Sequence, residues 1–288
     1  MSNDSAQQAE IARDFPLERL RRLLAVPVRA GHARYLDGWR GICILLVLAG
    51  HFAPAAGPLA NVGVEFFFVL SGALMAKILV HERQDIRPFI WRRFSRVVPA
   101  LATYVVLVGA ALNISLWWQD QAPSVLSPVG ALFFFHNYLP HADVTAVFEH
   151  TWSLAVEEHS YLLLVAIVLL ARRRPAFSAA LAVTLSALAV ANAYRLQGLP
   201  YDGGQFLFWR SDVRAASVLL SFAIAIFSRR AAWQFPSWSA PVMGLAALVC
   251  IFYQDTASPA EYFVGAILAG LAVNSLHSAS SRLLEWLG

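Results

Sequence analysis

An all-α polytopic membrane protein is the fold class this sequence predicts, and three observations predict it. Hydrophobic residues make up 58% of the 288, charged residues only 14%, and the mean hydropathy is +0.57. A soluble domain carries roughly 25% charged and about 45–50% apolar residues, so this much apolar surface has to meet lipid. The apolar residues gather into blocks close to the roughly 20 that a spanning helix requires. The basic residues fall between those blocks, mostly on alternate sides. Such a composition excludes disorder, a collagen-like chain and a small disulfide scaffold. Cys43 and Cys250 both lie inside apolar runs and form neither a disulfide framework nor a metal cluster. No metal and no nucleic-acid partner is expected.

Residues 1–34 are polar and carry Arg13, Arg19, Arg21, Arg22, Arg29 and Arg34. No short apolar region with a small-residue cleavage site stands among them, so the expectation is a basic cytoplasmic tail rather than a secretory signal. An interfacial helix is expected over 11–24, and residues 35–288 are read as one integral membrane domain.

Eight spans are expected, at about 36–53, 60–80, 97–117, 153–171, 176–195, 212–228, 237–253 and 260–277. The apolar stretch Val129–Tyr138 is too short to cross, so the region 125–150 is read as re-entrant or interfacial. With the N-terminus inside, this arrangement puts all of the 22 basic residues in the cytoplasm except Arg195, Arg210 and Arg214. A ninth span through 129–150 would move Arg172–Arg174, Arg229 and Arg230 outside, which the positive-inside rule disfavours. Lys77 is the single lysine among those basic residues. The arginine bias fits either a GC-rich genome or anionic ligands matched to a planar fork.

Ionisable groups within apolar spans are expensive and are therefore functional candidates. Asp37-Gly38-Trp39-Arg40-Gly41 opens the first span and His51 closes it. Eleven residues are nearly three helical turns, so Arg40 and His51 project from one face, roughly 16 Å apart along the axis. The alternative is that Arg40 anchors the helix at the interface while His51 caps its far end. Phe67-Phe68-Val69-Leu70-Ser71-Gly72 ends on a small pair that lets a helix or a ligand come close. Arg93 and Arg96, at i and i+3, suit a phosphate clamp, or else topology and lipid headgroups. Trp152-Ser153-Leu154-Ala155-Val156-Glu157-Glu158 places two carboxylates at the start of an apolar span, with Tyr161 one turn beyond Glu157. One of the two carboxylates could pair with a buried arginine while the other meets water, or both could serve the helix dipole. Arg210 and Arg214 bracket Asp212 at a later helix start, where Ser211 or Asp212 would cap.

In this order the segments resemble the membrane-bound acyltransferase-3 family, whose members O-acylate sugars and related hydroxyl acceptors at the bacterial envelope. Arg40 with His51 is similar to that family's arginine, ten residues, histidine pattern. Phe67–Gly72 resembles its FFxxSG segment, Arg93-Phe94-Ser95-Arg96 its RxxR segment, and Trp152–Glu158 with Tyr161 its WSLxxEE segment. Asp212-Val213-Arg214-Ala215 resembles the start of a later family helix. Trp39, His159 and Ser160 stand where the family more often has Leu, Gln and Phe. Relatives generally have ten or more spans and continue past a segment like Leu283–Gly288 into a tyrosine-rich final helix, so a truncated product, a fragment or a short variant is expected.

The resemblance implies transfer of an acyl group, acetyl in the expected case, from acyl-CoA to a hydroxyl of a surface or lipid-linked carbohydrate in the bacterial inner membrane. His51, Glu157 and Glu158 are the expected catalytic residues. Arg40, Arg93, Arg96, Ser71, Gly72, Trp152 and Tyr161 are expected to bind donor or substrate, with Asp37, Asp212 and Arg214 in support. Neutral imidazole, with a reference pKa of about 6.5, can take a hydroxyl proton near neutrality. An acyl-imidazole relay is the other route. Acyl-CoA is a donor substrate, and no permanently bound cofactor is expected. A transporter or flippase for a sugar-lipid or an anion, and an inactive truncated relative, are the competing readings.

Overall fold

The computed structural model describes residues 34–53, 57–140, 143–197, 209–230, 239–252 and 259–275. The expected tail over residues 1–33 and the segment Leu283–Gly288 lie outside the described residues, as does the side chain of Asp37. Among the described residues every regular element is helical.

The helices are α1 (Arg34–Phe52), α2 (Gly57–Met75), α3 (Ile86–Trp118), α4 (Leu126–Leu132), α5 (Ala146–Glu149), α6 (Thr151–Leu170), α7 (Pro175–Gln197), α8 (Ser211–Arg230), α9 (Ser239–Phe252) and α10 (Pro259–Ser275). A π-helical stretch, Ala76–His81, prolongs α2, and a 3-10 turn, His136–Tyr138, follows α4. Five helical stretches are long and apolar enough to cross a membrane: Gly57–His81, Ile86–Trp118, Ala146–Leu170, Pro175–Gln197 and Ser211–Arg229. Three shorter apolar helices lie at Gly38–Phe52, Pro241–Ile251 and Phe263–Val273. The stretch from Val129 to Tyr138 folds as the end of α4 and the 3-10 turn, too short to span.

Helix α8 is the hub, packed against α2, α6, α7 and α10. Its contact with α2 is close because Gly72 carries no side chain: a Cβ there would sit 2.2 Å from the Val218 carbonyl oxygen. Ser221 Oγ donates to the Val69 carbonyl across the same seam at 2.7 Å, satisfying a hydroxyl that lipid could not. Small residues also bring α1 onto α2, where a Cβ on Gly63 would lie 2.6 Å from the Cys43 carbonyl oxygen. The main core fills the space among these helices with Phe68, Leu79, Val156, Leu164, Ile167, Val218, Leu219 and Phe222.

Helix α3 differs. Only 17% of its apolar window is buried, against 78% for α8. Its buried residues form one stripe, Leu101, Val105 and Gly109, which packs with Ala131 and Phe148 or faces Pro128, while Ile86 and Phe89 near its start pack on the main core.

Candidate active site

The site grows from a cleft of about 260 Å³ between α1, α2 and the start of α6. Cys43, Ile44, Val47 and Leu48 line it from α1, and Gly63, Val64, Phe67 and Phe68 from α2; Ser153, Leu154 and Glu157 face them from α6. The four α1 residues lie between Arg40 and His51, so the face predicted to carry those two groups is the face that walls the cleft. The walls are mainly apolar, and polar groups stand toward its two ends.

At one end stands Glu157, whose three contacts all fall on Oε1. Tyr161 OH donates at 2.7 Å and Ser71 Oγ at 3.0 Å, and Arg93 Nη2 lies 3.2 Å away. Oε2 is left as the oxygen without a bond among the described residues. Arg93 also grips Glu158, with Nη2 2.8 Å from Oε1 and Nε donating to Oε2 at 3.2 Å. Its guanidinium lies 3.7 Å from the Tyr161 ring centroid. One cation therefore neutralises two adjacent carboxylates with fork geometry, in surroundings where an unpaired charge would be costly.

This arrangement departs from two expectations. Arg93 is held by carboxylates, so it is not a free phosphate clamp beside Arg96. Arg96 is exposed and has no ion pair or hydrogen bond among the described residues. Arg40 does not pair with either glutamate; its guanidinium lies 5.6 Å from the Phe67 ring centroid. Both carboxylates, rather than one, belong to the arginine. Neighbouring positions diverge by about 100°, but the long guanidinium reaches into the gap between them.

At the other end of the cleft, His51 is exposed and its Nδ1 lies 2.8 Å from the Val47 carbonyl oxygen. A carbonyl only accepts, so in the neutral ring this bond puts the proton on Nδ1 and the lone pair on Nε2. Capping a last-turn carbonyl and presenting a base are thus the same hydrogen bond.

The remaining candidates are structural neighbours of the cleft. Ser71 braces Glu157, whereas Gly72 faces the α8 backbone instead of substrate, because helix approach consumes its missing side chain. Tyr161 is 3% exposed, with its hydroxyl spent on Glu157. Trp152 stacks on Trp209, centroids 5.7 Å apart and planes 4° from parallel, and meets the edge of Phe68 at 6.1 Å. Arg214 does not bracket Asp212. It pairs with Glu65 at 3.0 Å, both side chains essentially inaccessible, and lies 5.6 Å from the Phe68 ring centroid and 5.9 Å from that of Trp152. Asp212 is bound instead by Arg210 at 2.9 Å and by Asn192 at 2.9 Å. Residue types alone left Glu65 without a role. The signal was there, since a lone carboxylate in an apolar run needs a buried cation.

In the connection before α6, Ser127 Oγ accepts from the Thr145 backbone N–H and hydroxyl at 3.2 and 2.9 Å and donates to His136 Nε2, 3.0 Å away. Burial, together with nearby His150, pushes the His136 pKa down to about 4. His159 Nδ1 and Asn137 Nδ2 converge on Ser211 Oγ at 2.7 and 2.8 Å, tying this connection to the start of α8.

The chain resembles curated proteins along much of its length. Peptidoglycan O-acetyltransferase OatA of Listeria monocytogenes is 27% identical over 79% of this chain and 40% of its own length. YrhL of Bacillus subtilis, provisionally named a peptidoglycan O-acetyltransferase, is 26% identical over 88% of this chain and 46% of its own. BcsY of Komagataeibacter xylinus, provisionally named a membrane-bound transacylase, is 35% identical over 48% of this chain and 37% of its own. The chain thus spans less than half the length of these relatives. No solved structure matches it. The acyltransferase domain model of the acyltransferase-3 family matches residues 33–287, the whole of the region that builds the cleft, and the chain belongs to that family.

Proposed function

We propose that the chain forms the membrane domain of an O-acyltransferase that moves an acyl group, acetyl in the simplest case, from acyl-CoA to a hydroxyl of a surface or lipid-linked carbohydrate. The observation that carries this reading is the α1 face: Arg40 at one end, the cleft along it, and His51 at the other, with Nδ1 on the Val47 carbonyl and Nε2 without a partner among the described residues. Names of the relatives, which speak of O-acetyl transfer to peptidoglycan, support it.

In this reading the five long helices and the three shorter apolar ones all cross the bacterial inner membrane, with the N-terminus cytoplasmic. Arg40, Arg93 and Glu157 then share an inner level, and His51 stands about three turns further out. Exposed Arg96 meets the phosphates of CoA, and Arg40 steers the phosphopantetheine arm into the cleft. The apolar walls hold the arm and acyl group away from water. His51 Nε2 takes the proton of the acceptor hydroxyl as its oxygen attacks the thioester carbonyl. The C–S bond breaks, and the imidazolium returns the proton to the departing thiolate. Glu157 and Glu158, fixed by Arg93, set the electrostatics of the inner end.

The test compares the O-acetyl content of envelope glycans, by mass spectrometry, in cells with the gene, without it, and with His51→Ala. Loss of O-acetyl groups in the second and third supports the reading. Unchanged glycans in both defeat it, and movement of intact substrate without acylation favours transport.

A further inference from the structure

We propose that His150 is a second imidazole of the acyl-transfer site, set beside the outer mouth of the cleft, where its N–H hydrogen-bonds the donor's carbonyl oxygen as the acceptor attacks. The inference rests on the acyltransferase reading and adds a residue to it.

Helix register places the ring. Val47 and Leu48 line the cleft from α1, and His51 follows one turn later; Ser153 and Leu154 line it from α6, and His150 precedes them by one turn. Helix α1 runs antiparallel to α2, with Gly50 against Ala60 and Gly63 against Cys43, whereas α2 and α6 run the same way, with Phe68 beside Trp152 and Ser71 beside Glu157, so both histidines stand at the same end.

The ring is also held. Tyr104 of α3 meets His150 edge to face, centroids 5.3 Å apart and planes at 75°, and meets Phe148 in the same manner at 5.7 Å and 83°. The Tyr104 hydroxyl donates to the Val147 carbonyl. Ser153 Oγ donates to the His150 carbonyl at 3.1 Å, and Thr151 Oγ1 to that of Phe148 at 2.7 Å. Around a backbone pinned this way, the imidazole itself makes no hydrogen bond among the described residues. A ring oriented by its neighbours with both nitrogens unspent is suited to a transient partner.

Chemistry separates the two histidines. His51 becomes cationic when it takes the hydroxyl proton, and that charge nearby opposes a second protonation, so His150 stays neutral with one N–H. As the acceptor oxygen bonds to the thioester carbon, the carbonyl electron pair moves onto oxygen, where the His150 N–H meets it. The pair returns as the C–S bond breaks, and the sulfur leaves with its electrons and takes the proton from His51. Ester and CoA thiol are the products, and His150 ends as it began.

The experiment uses the full chain in lipid nanodiscs with acetyl-CoA and an oligosaccharide acceptor. His150→Ala should lower kcat by about 10²–10³-fold, the cost of one oxyanion donor, with donor KM changed less than about threefold. His150→Gln, which keeps an N–H, should recover at least about tenfold of that loss, and His150→Phe none of it. An Ala variant within about threefold of wild type overturns the proposal, as does a Gln variant no better than Phe. If the Ala variant fails to insert, the Gln and Phe pair decides alone. Separately, His51→Cys with His150→Cys, in a Cys43→Ser and Cys250→Ser background, should be joined by a short bis-maleimide. Failure of that crosslink in a chain whose wild type is active removes His150 from the mouth and leaves the function standing. A formed crosslink with no transfer by wild type defeats the acyltransferase reading, and this role with it.

Discussion

Arg93 and Glu158, sixty-five positions apart, meet through two contacts, Nη2 to Oε1 at 2.8 Å and Nε to Oε2 at 3.2 Å. Helix α3, otherwise so little buried, is thereby tied to α6 at the level of the cleft floor. The same guanidinium serves Glu157, so the family's RxxR and WSLxxEE segments are two halves of one ion cluster.

Because Arg93 and Arg96 do different work, their variants should separate. Arg93→Ala leaves two mostly buried carboxylates without their cation, which costs on the order of 3–5 kcal/mol. Its melting temperature in detergent should drop sharply and kcat with it, and Arg93→Lys should recover only part. Arg96→Ala should keep its melting temperature and raise the KM for acyl-CoA. An Arg93→Ala protein as stable as wild type would contradict the cluster.

His51→Ala should abolish transfer while membrane insertion and melting temperature stay close to wild type, since the ring is exposed and caps one terminal carbonyl. His51→Asn can restore the cap but not the base, and should be equally inactive. Activity assays on nanodisc preparations of both variants check this.

The Glu65–Arg214 pair predicts a non-additive cycle. Removing either partner, as Glu65→Gln or Arg214→Met, should destabilise by about 3–5 kcal/mol. The double variant should be no worse than the worse single, because no unpaired buried charge remains. Thermal denaturation of the three proteins reads the coupling directly.

Glycines should sort by the space around them. At Gly72 a Cβ would strike the Val218 carbonyl at 2.2 Å, so Gly72→Ala should cost at least roughly 1–3 kcal/mol and push α2 off α8. At Gly109 the nearest atom is Pro128 Cβ at 3.5 Å, and Gly109→Ala should be neutral or stabilising by up to about 1 kcal/mol, as helix propensity dictates. Melting temperatures of the two variants should move in opposite directions or differ widely.

His136 supplies a pH dependence. Its pKa falls from 6.5 to about 4 on folding, so between those values the unfolded chain binds a proton that the folded chain refuses. Stability is fully present above about 6.5, is lost progressively as pH falls toward about 4, and is flat below. His136→Asn should remove that part of the slope, as melting temperatures between pH 4 and 7 would reveal.

The chain's own residue order determined much of this. Composition and apolar blocks set an all-helical membrane protein, because so few polar groups cannot cover a water-exposed particle. Helical periodicity put Arg40 and His51 on one face, since residues eleven apart return to nearly the same angle. Ordered motifs identified the family. Partner choice was decided only in three dimensions. Glu157, Glu158 and Glu65 each required a cation, but periodicity relates residues within a helix and is silent between helices. Arg40, Arg93, Arg96, Arg210 and Arg214 were all eligible, and packing gave Arg93 to the first two and Arg214 to the third. The same packing turned Gly72 toward α8 and set Tyr104 of α3 against His150, because packed helices align residues that the chain keeps far apart.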